Sequence, residues 1–210
     1  MRLILASTSP RRHELLTLLG LPFDVVAPPF VEQVVPNRPA EQQAVEFAAG
    51  KAKSCIEQCP DALILGSDTL IGLGSEVLGK PVDLADAESM LRRMAGKTHK
   101  IFTAVALAGP GPEPCEVQVA RVSVTMQPLN EEALSAYLRT GDSLGKAGAY
   151  SIQGGGGALI EGIEGDYTAA VGLPLRTVAD MLRRRGMLCS VDVGRLYARK
   201  PHPNWARFNP

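Results

Sequence analysis

The sequence predicts an α/β fold with a mixed, mostly β-sheet core and flanking helices. In the first half of the 210-residue chain, short apolar runs alternate with segments whose apolar residues recur every three or four positions. Between residues 100 and 127, two strand-like runs follow each other directly. Alternating elements followed by consecutive strands indicate a mixed sheet. The length allows two lobes that share this sheet around a central cleft.

The individual elements follow from apolar spacing and from residues that begin or end helices. Strands are predicted at Leu3–Ala6, Phe23–Ala27, Ala62–Ser67, Lys100–Ala108, Glu116–Gln127 and Ala158–Ile163. Helices are predicted at Pro10–Leu19, Ala40–Gln58, Ala85–Met94, Glu131–Arg139 and Leu173–Arg185, with Ser9, Asp83 and Asn130 as N-caps. Leu70–Leu73 and Glu76–Leu78 are expected to form a hairpin across Gly74-Ser75, and a further turn is expected at Gly109–Pro112.

The chain divides into residues 1–186, which carry these patterns, and a C-terminal tail, residues 187–210. Periodicity is weak in the tail, which ends in Lys-Pro-His-Pro-Asn-Trp-Ala-Arg-Phe-Asn-Pro. Such a segment is either a poorly ordered tail or a strap over the surface. The sequence assigns it no function.

Charge and composition exclude several classes of protein. The 22 basic and 22 acidic residues cancel, which argues against binding a nucleic acid polymer. No apolar run approaches the roughly 20 residues that span a membrane, and Leu3–Ala6 is too short for a signal-peptide core. We therefore expect a cytoplasmic protein. The four cysteines form no disulfide or metal-site pattern and are expected to be free thiols.

The start of the chain is suited to phosphate. A strand ends at Ser7-Thr8-Ser9, Pro10 suits the first position of a helix, and Arg11 and Arg12 follow in the first turn. Free N–H groups, hydroxyls and two guanidiniums would converge there. A solvated arginine pair beside an ordinary cap is the alternative, since the segment lacks the glycines of a Walker loop.

Other polar residues also follow apolar elements. Asp68 comes at the predicted end of a buried strand, where a carboxylate can bind metal or activate water; an Asx-turn leading out of the strand is the alternative. Lys80 and Glu32 could be plain surface residues. Gln153 precedes Gly154–Gly157, an unusual place for an amide if that stretch is a flexible linker.

Seven segments taken together resemble the Maf family of nucleoside triphosphate pyrophosphatases. They lie between Leu3 and Leu175 and are Ala-Ser-Thr-Ser-Pro-Arg-Arg at 6–12, Lys51-Ala52, Ser67-Asp68-Thr69, Leu78-Gly-Lys-Pro81, Lys146-Ala-Gly-Ala-Tyr150, Ile152-Gln153-Gly154 and Val171-Gly-Leu-Pro-Leu175. The resemblance implies a fold similar to Maf and inosine triphosphatase proteins, and a homodimer.

The resemblance also implies the chemistry and its residues. The reaction is hydrolysis between the α- and β-phosphates with a divalent cation, Mg²⁺ or Mn²⁺, as cofactor. Asp68 is implied as the general base and, with Glu32, as a metal ligand. The implied triphosphate ligands are Ser7, Arg11, Arg12, Lys51 and Lys80.

The same resemblance suggests the substrate. Members that act on dTTP and UTP carry Arg, Thr and Gln at the positions of Arg11, Thr69 and Gln153, whereas relatives acting on 7-methyl-GTP carry other residues. A glutamine amide can both donate to and accept from the edge of uracil or thymine. We therefore expect a dTTP/UTP pyrophosphatase that limits non-standard nucleotides, with a link to cell-division arrest.

Other functions are kept as alternatives. The same chemistry on 7-methyl-GTP or on modified pyrimidine triphosphates is the nearest. A non-catalytic nucleotide-binding regulator of septum formation belongs to another class. A kinase or simple phosphate-binding module is disfavoured, because the chain has no Walker sequence.

Overall fold

A seven-stranded mixed sheet runs through the protein, for which a computed structural model describes residues 1–110 and 114–208. The strands are β1 (Arg2–Ala6), β2 (Asp24–Val26), β3 (Ala62–Leu73), β4 (Glu76–Leu78), β5 (Thr98–Ala108), β6 (Cys115–Met126) and β7 (Ile160–Glu164). Their order is β2-β1-β3-β5-β6-β7, with β4 paired to β3. Strand β1 pairs in parallel with β2 and β3, and the other pairs are antiparallel. The predicted mixed α/β fold is confirmed.

The helices lie on both faces of this sheet. They are α1 (Pro10–Thr17), α2 (Ala40–Ser54), α3 (Leu84–Met94), α4 (Glu131–Arg139), α5 (Tyr167–Val171), α6 (Leu175–Arg184), α7 (Val193–Arg199) and α8 (Trp205–Phe208). Two 3₁₀ turns lie at Ala147–Ala149 and Gly155–Leu159. The side chains of Asp83 and Asn130 cap α3 and α4 by accepting the N–H groups of Asp86 and Ala133, both at 2.8 Å.

The two faces of β3 meet different layers. Ile64 and its neighbours on one face pack with Ala44, Ala48 and Ala52 of α2. Leu63 on the other face belongs to a larger cluster that includes residues of α1, α3, α4 and α6. Because β3 is buried on both sides, its first residues read as a continuous apolar run rather than an alternating one. The first part of β3 pairs with β1 and its last part with β4, so this strand joins the parallel and antiparallel parts of the sheet.

Two predicted strands are one strand in the structure. We expected Ala62–Ser67, followed by Asp68, and a separate hairpin strand Leu70–Leu73, but β3 runs without a break from Ala62 to Leu73. Antiparallel pairing with β5 from Ile64 to Gly72 keeps the backbone extended. It is β1 that ends here, since its last residue, Ala6, pairs with Gly66. Asp68 therefore lies just beyond the end of a neighbouring parallel strand.

Two further expectations differ in detail. Ser9 occupies the N-cap position of α1, but its side chain makes no capping hydrogen bond; its N–H instead donates to Ser7 Oγ at 3.2 Å. The strand predicted from Ala158 begins at Ile160, because the 3₁₀ turn extends to Leu159. Of the predicted turn at Gly109–Pro112, Gly111 and Pro112 lie outside the described residues.

The described part of the C-terminal tail, up to residue 208, is a strap that packs on the core. Helices α7 and α8 contribute Leu196, Tyr197, Trp205 and Phe208 to the larger hydrophobic cluster. The Trp205 ring is fully buried and stacks on Tyr167, with ring centroids 5.5 Å apart. The boundary at residue 186 remains a prediction.

No helix among the described residues combines the length and apolar character needed to cross a bilayer. The four cysteines are free thiols, as predicted.

Candidate active site

A cleft of about 570 Å³ opens beside the end of β1, a size typical of small-molecule sites. The nine residues singled out in the sequence all line it: Ser7, Arg11, Arg12, Glu32, Lys51, Asp68, Thr69, Lys80 and Gln153. The fold therefore brings together residues that are up to 146 positions apart in the sequence (7 to 153). We call the part formed by Ser7, Arg12, Lys51, Asp68 and Thr69 the sheet end, and the part formed by residues 150–153 the loop end.

Alternation along β3 sorts the polar residues of the sheet end onto two faces. Successive side chains of a strand point to opposite sides. Asp68 faces α2, where Lys51 Nζ donates to its Oδ1 at 2.5 Å. Ser67 and Thr69 face the other side and contact Gly172 and Arg12. The end of β1 leaves both sides open to the same cleft.

Lys51 holds two carboxylates. Its ammonium lies 2.5 Å from Asp68 Oδ1 and 2.5 Å from Glu32 Oε1, and it is 3.4 Å from the carbonyl of Ser67. The Lys51 and Asp68 side chains are 7% and 5% exposed, so this pair is buried. Burial alone would raise the pKa of Glu32, but the hydrogen bond and charge of Lys51, with Lys80 and Arg12, lower it below its ordinary value. Glu32 is therefore ionised at neutral pH.

Asp68 keeps one oxygen unused. Its Oδ2 is buried and has no hydrogen-bond partner among the described residues. A buried carboxylate oxygen normally has a partner, so an orphaned one indicates a ligand or a water at that position. Glu32 is bound to the same Lys51 ammonium, so its carboxylate lies close to that of Asp68. Proteins commonly hold Mg²⁺ beside substrate phosphates with one or two carboxylates of this kind. The described residues contain no group of three or more acidic, His or Cys side chains suited to a metal, so the other ligands would come from phosphate or water.

Arg12 is fixed by three parts of the chain. Its Nε donates to the Gly172 carbonyl at 3.1 Å, Nη2 to Thr69 Oγ1 at 3.3 Å and Nη1 to Ser7 Oγ at 3.4 Å. Burial lowers the pKa of Arg12, while the charges of Asp68 and Glu32 oppose that shift. A guanidinium has five N–H donors, so two remain for a ligand in the cleft.

Arg11 and Lys80 are cations without fixed partners. Neither makes a hydrogen bond or ion pair with a described residue, and both line the cleft. The segment that carries Lys80 is held at Gly79, whose carbonyl accepts the N–H of Gly148 at 3.0 Å. These two cations can therefore form charge-assisted hydrogen bonds with a polyanionic ligand such as a triphosphate.

The loop end is built around Tyr150 and Gln153. Tyr150 is buried, and its hydroxyl is hydrogen-bonded to His99 Nε2 of β5 at 2.7 Å. Burial lowers the pKa of His99 to about 4, so the ring is neutral. Gln153 is half-buried, and its Nε2 lies 2.7 Å from Nδ1 of His202 in the tail. The glycine-rich stretch is therefore an anchored part of the cleft rather than a free linker.

Some contributors were not predicted from the sequence. The Gly172 carbonyl accepts hydrogen bonds from both Arg12 and Ser67 Oγ, a role that no side chain reveals. The Thr103 hydroxyl is hydrogen-bonded to Thr69 Oγ1 at 3.0 Å and donates to the Ala169 carbonyl at 2.8 Å. His99 and His202 had no metal-ligand spacing, and no other sequence signal marks them.

Comparison with known proteins places the chain in a family. The model of Maf-like proteins matches residues 2–185, which is most of the sequence and includes the nine cleft residues.

The chain belongs to the Maf family. Similar proteins include those named dTTP/UTP pyrophosphatase from Deinococcus radiodurans, 44% identical over 89% of this chain and 94% of that one, and from Symbiobacterium thermophilum, 45% identical over 88% and 94%. A similarly named protein of Moorella thermoacetica is 44% identical over 86% and 93%. Among solved structures, the Ham1 protein of Staphylococcus aureus matches 60% of this chain and 72% of its own, with a TM-score of 0.44 and 14% identity.

Proposed function

We propose that this Maf protein hydrolyses dTTP and UTP to the nucleoside monophosphate and pyrophosphate. The observation that carries the proposal is the unpartnered Asp68 Oδ2, buried among cations in a cleft large enough for a nucleotide. Relatives that share 38–45% of their residues and align over most of the chain bear the name of this activity.

Asp68 and Glu32 would hold a divalent cation, Mg²⁺ or Mn²⁺. When bound, such a cation offsets charge on the phosphate oxygens and polarises the phosphorus that is attacked. The unpartnered Asp68 Oδ2 and the neighbouring Glu32 supply hard oxygen ligands, which suit these two metals.

Asp68 would also act on water. Its Oδ2 accepts a proton from a water molecule as the water oxygen bonds to the α-phosphorus. The bond from that phosphorus to the bridging oxygen breaks, and pyrophosphate leaves with the electron pair. Lys51 keeps Asp68 oriented through Oδ1, and Oδ2 has two lone pairs, one for the cation and one for this proton. Two N–H groups of Arg12, with Arg11 and Lys80, hold the phosphates and offset the charge that develops.

Gln153 would read the base. It lines the cleft at the loop end, and its Oε1 accepts no hydrogen bond from a described residue. An amide with one free acceptor can pair with the N3–H of uracil or thymine.

A panel of nucleoside triphosphates tests the proposal. Pyrophosphate release is measured from dTTP, UTP, CTP, ATP, GTP and 7-methyl-GTP, with Mg²⁺, Mn²⁺ or Co²⁺. We expect the fastest release from dTTP and UTP, and loss of activity when a chelator removes the metal, restored by adding it back. Clear preference for 7-methyl-GTP would overturn the substrate proposal. Nucleotide binding without pyrophosphate release, with every metal, would favour a regulator instead.

Three further properties remain predictions about this chain. They are the cytoplasmic location, the homodimer and the link to septum formation. Sedimentation of the purified protein measures the second of them directly.

A further inference from the structure

The side chain of Gln153 is hydrogen-bonded to His202 of the C-terminal tail. Its Nε2 lies 2.7 Å from Nδ1 and 3.1 Å from Nε2 of His202, a residue beyond the 2–185 region shared with the family. Gln153 is among the residues that line the cleft, and His202 is not. The His202 side chain is 10% exposed. His202 therefore touches the residue that faces the ligand rather than the ligand itself.

The tail is fixed against this loop by several bonds. Asn204 Nδ2 donates to the Ile152 carbonyl at 2.7 Å, next to Gln153 in the chain. Arg207 donates to the carbonyls of Gly157 and Ile160 at 3.1 and 3.3 Å. A Cβ on Gly157 would lie 2.5 Å from Asn204 Nδ2, so glycine is needed for this close approach. Together with the buried Trp205, these contacts set the position of His202.

The structure places Nε2 of the Gln153 amide, rather than Oε1, against the His202 ring. An amide nitrogen only donates, so the ring nitrogen it meets must accept. Burial lowers the pKa of His202, against the opposing charge of Glu14, so the ring is neutral at pH 7 and has one acceptor. Glu14 Oε2 lies 3.9 Å from Nε2 and favours the proton on that nitrogen, which leaves Nδ1 to accept from Gln153.

A fixed amide distinguishes uracil from cytosine. With Nε2 held by His202, Oε1 of Gln153 is left as an acceptor and the second N–H as a donor. Uracil and thymine present a donor at N3 and an acceptor at O4, whereas cytosine presents an acceptor at N3 and a donor at N4. If the amide turned by 180°, its two atoms would exchange places and suit cytosine. We infer that His202 is a positioning residue that locks the Gln153 amide in the orientation for uracil and thymine.

This inference rests on the proposed function, and one experiment separates the two. kcat and KM are measured for UTP and CTP with wild type, His202→Leu, His202→Asn and the control Arg195→Ala. His202→Leu removes the acceptor but fills the space, and His202→Asn retains an acceptor near the position of Nδ1. Arg195 is an exposed residue of the same tail, with a side chain 87% exposed.

We expect wild type to prefer UTP over CTP in kcat/KM, and His202→Leu to reduce this preference about 10-fold, the discrimination typical of a bidentate base contact. The lower kcat/KM for UTP should result from a higher KM, and kcat should stay within about 2-fold of wild type, because the substitution leaves the sheet end unchanged. His202→Asn should restore most of the preference, and Arg195→Ala should leave it unchanged.

The outcomes are distinguishable. No pyrophosphate release by wild type from any nucleotide overturns the proposed function itself. A wild type active on UTP but equally active on CTP, or a His202→Leu protein whose preference is unchanged, overturns the inference alone. If His202 had a purely structural role, His202→Leu would lower kcat/KM for UTP and for CTP equally and leave their ratio unchanged. That result would also overturn the inference. If His202→Leu does not fold, His202→Ala is measured in its place.

Discussion

The sheet end of the cleft takes its side chains from β3, α1, α2 and the short loop between β1 and α1, whereas the loop end takes them from an irregular, glycine-rich segment. At the sheet end, Lys51 is buried on a helix and Asp68 on a paired strand, so both are placed by regular hydrogen bonding. At the loop end, Tyr150 and Gln153 are placed by His99 and His202, which come from β5 and the tail. The buried charges of the sheet end thus lie on regular secondary structure, whereas Tyr150 and Gln153 depend on contacts with distant segments.

This difference has a physical reason. The sheet end must hold charges close together, and misplacing a catalytic group by about 1 Å is costly in rate. The loop end needs one amide in one orientation, which a single hydrogen bond can supply. Substitutions at the sheet end should therefore lower the catalytic rate, whereas substitutions at the loop end should change substrate selectivity or stability.

The largest expected effect is at the sheet end, from Asp68→Asn. The amide has the same shape but cannot accept a proton from water, so kcat for pyrophosphate release should fall about 10²- to 10⁴-fold. The secondary structure should be unchanged, as measured by circular dichroism. The matched control is Asp61→Asn, an exposed carboxylate before β3, which should keep full activity. A rapid Asp68→Asn enzyme would remove Asp68 from the mechanism.

The second effect concerns the anchor of the loop end and depends on pH. The pKa of His99 is lowered by burial to about 4, so below its ordinary value of 6.5 the unfolded chain binds a proton that the folded protein does not. This contribution to stability is complete above pH 6.5 and is lost as the pH falls towards 4, by about 3 kcal/mol. Urea unfolding between pH 4 and 7 measures it.

His99→Gln should flatten this part of the pH dependence, because glutamine does not titrate. His13→Gln is the control, since His13 is an exposed residue of α1 and its loss should leave the slope as in wild type. Equal slopes for wild type and His99→Gln would mean that His99 is not buried as a neutral ring.

The smallest effect tests how tightly the sheet end is packed. A Cβ on Gly66 would lie 2.3 Å from the Ala48 carbonyl oxygen and 2.8 Å from the Ala52 nitrogen, both backbone atoms of α2. Gly66→Ala should therefore push α2 outward, lower the free energy of unfolding by about 2 kcal/mol and reduce kcat by moving Lys51. Nothing lies within 4 Å of a Cβ on Gly162, so Gly162→Ala should change neither quantity. Full activity in a destabilised Gly66→Ala protein would show that Lys51 tolerates the shift.

The two ends also differ in how far the sequence predicts them. The opening segment, Lys51 and Asp68 each lie in or beside a strand or helix with clear apolar spacing, and the cleft gathers them as expected. The continuity of β3 across Asp68 and Thr69 was missed, because pairing with β5 is a long-range interaction that a local pattern does not contain. The caps Asp83 and Asn130 were predicted, since capping depends on neighbouring residues alone.

The loop end was predicted less completely. Gln153 was singled out, but its partner His202 lies 49 positions away in a segment with weak periodicity. Helices α7 and α8 have 7 and 4 residues, too short for a helical repeat to stand out. Their stability comes from Trp205 and Tyr197 packing on the core, and no local propensity reveals such contacts.

The bond between Arg12 and the Gly172 carbonyl joins residues 160 positions apart, and Ser67 reaches the same carbonyl over 105 positions. Contacts of such separation close slowly, because the entropy of the intervening loop must be overcome first. During synthesis, which proceeds from the N-terminus, β1 and α1 emerge long before Gly172. The nascent chain therefore carries its arginines for most of its growth without the carbonyl that orients them. The contact that orients Arg12 can therefore form only after the chain has been synthesised as far as Gly172.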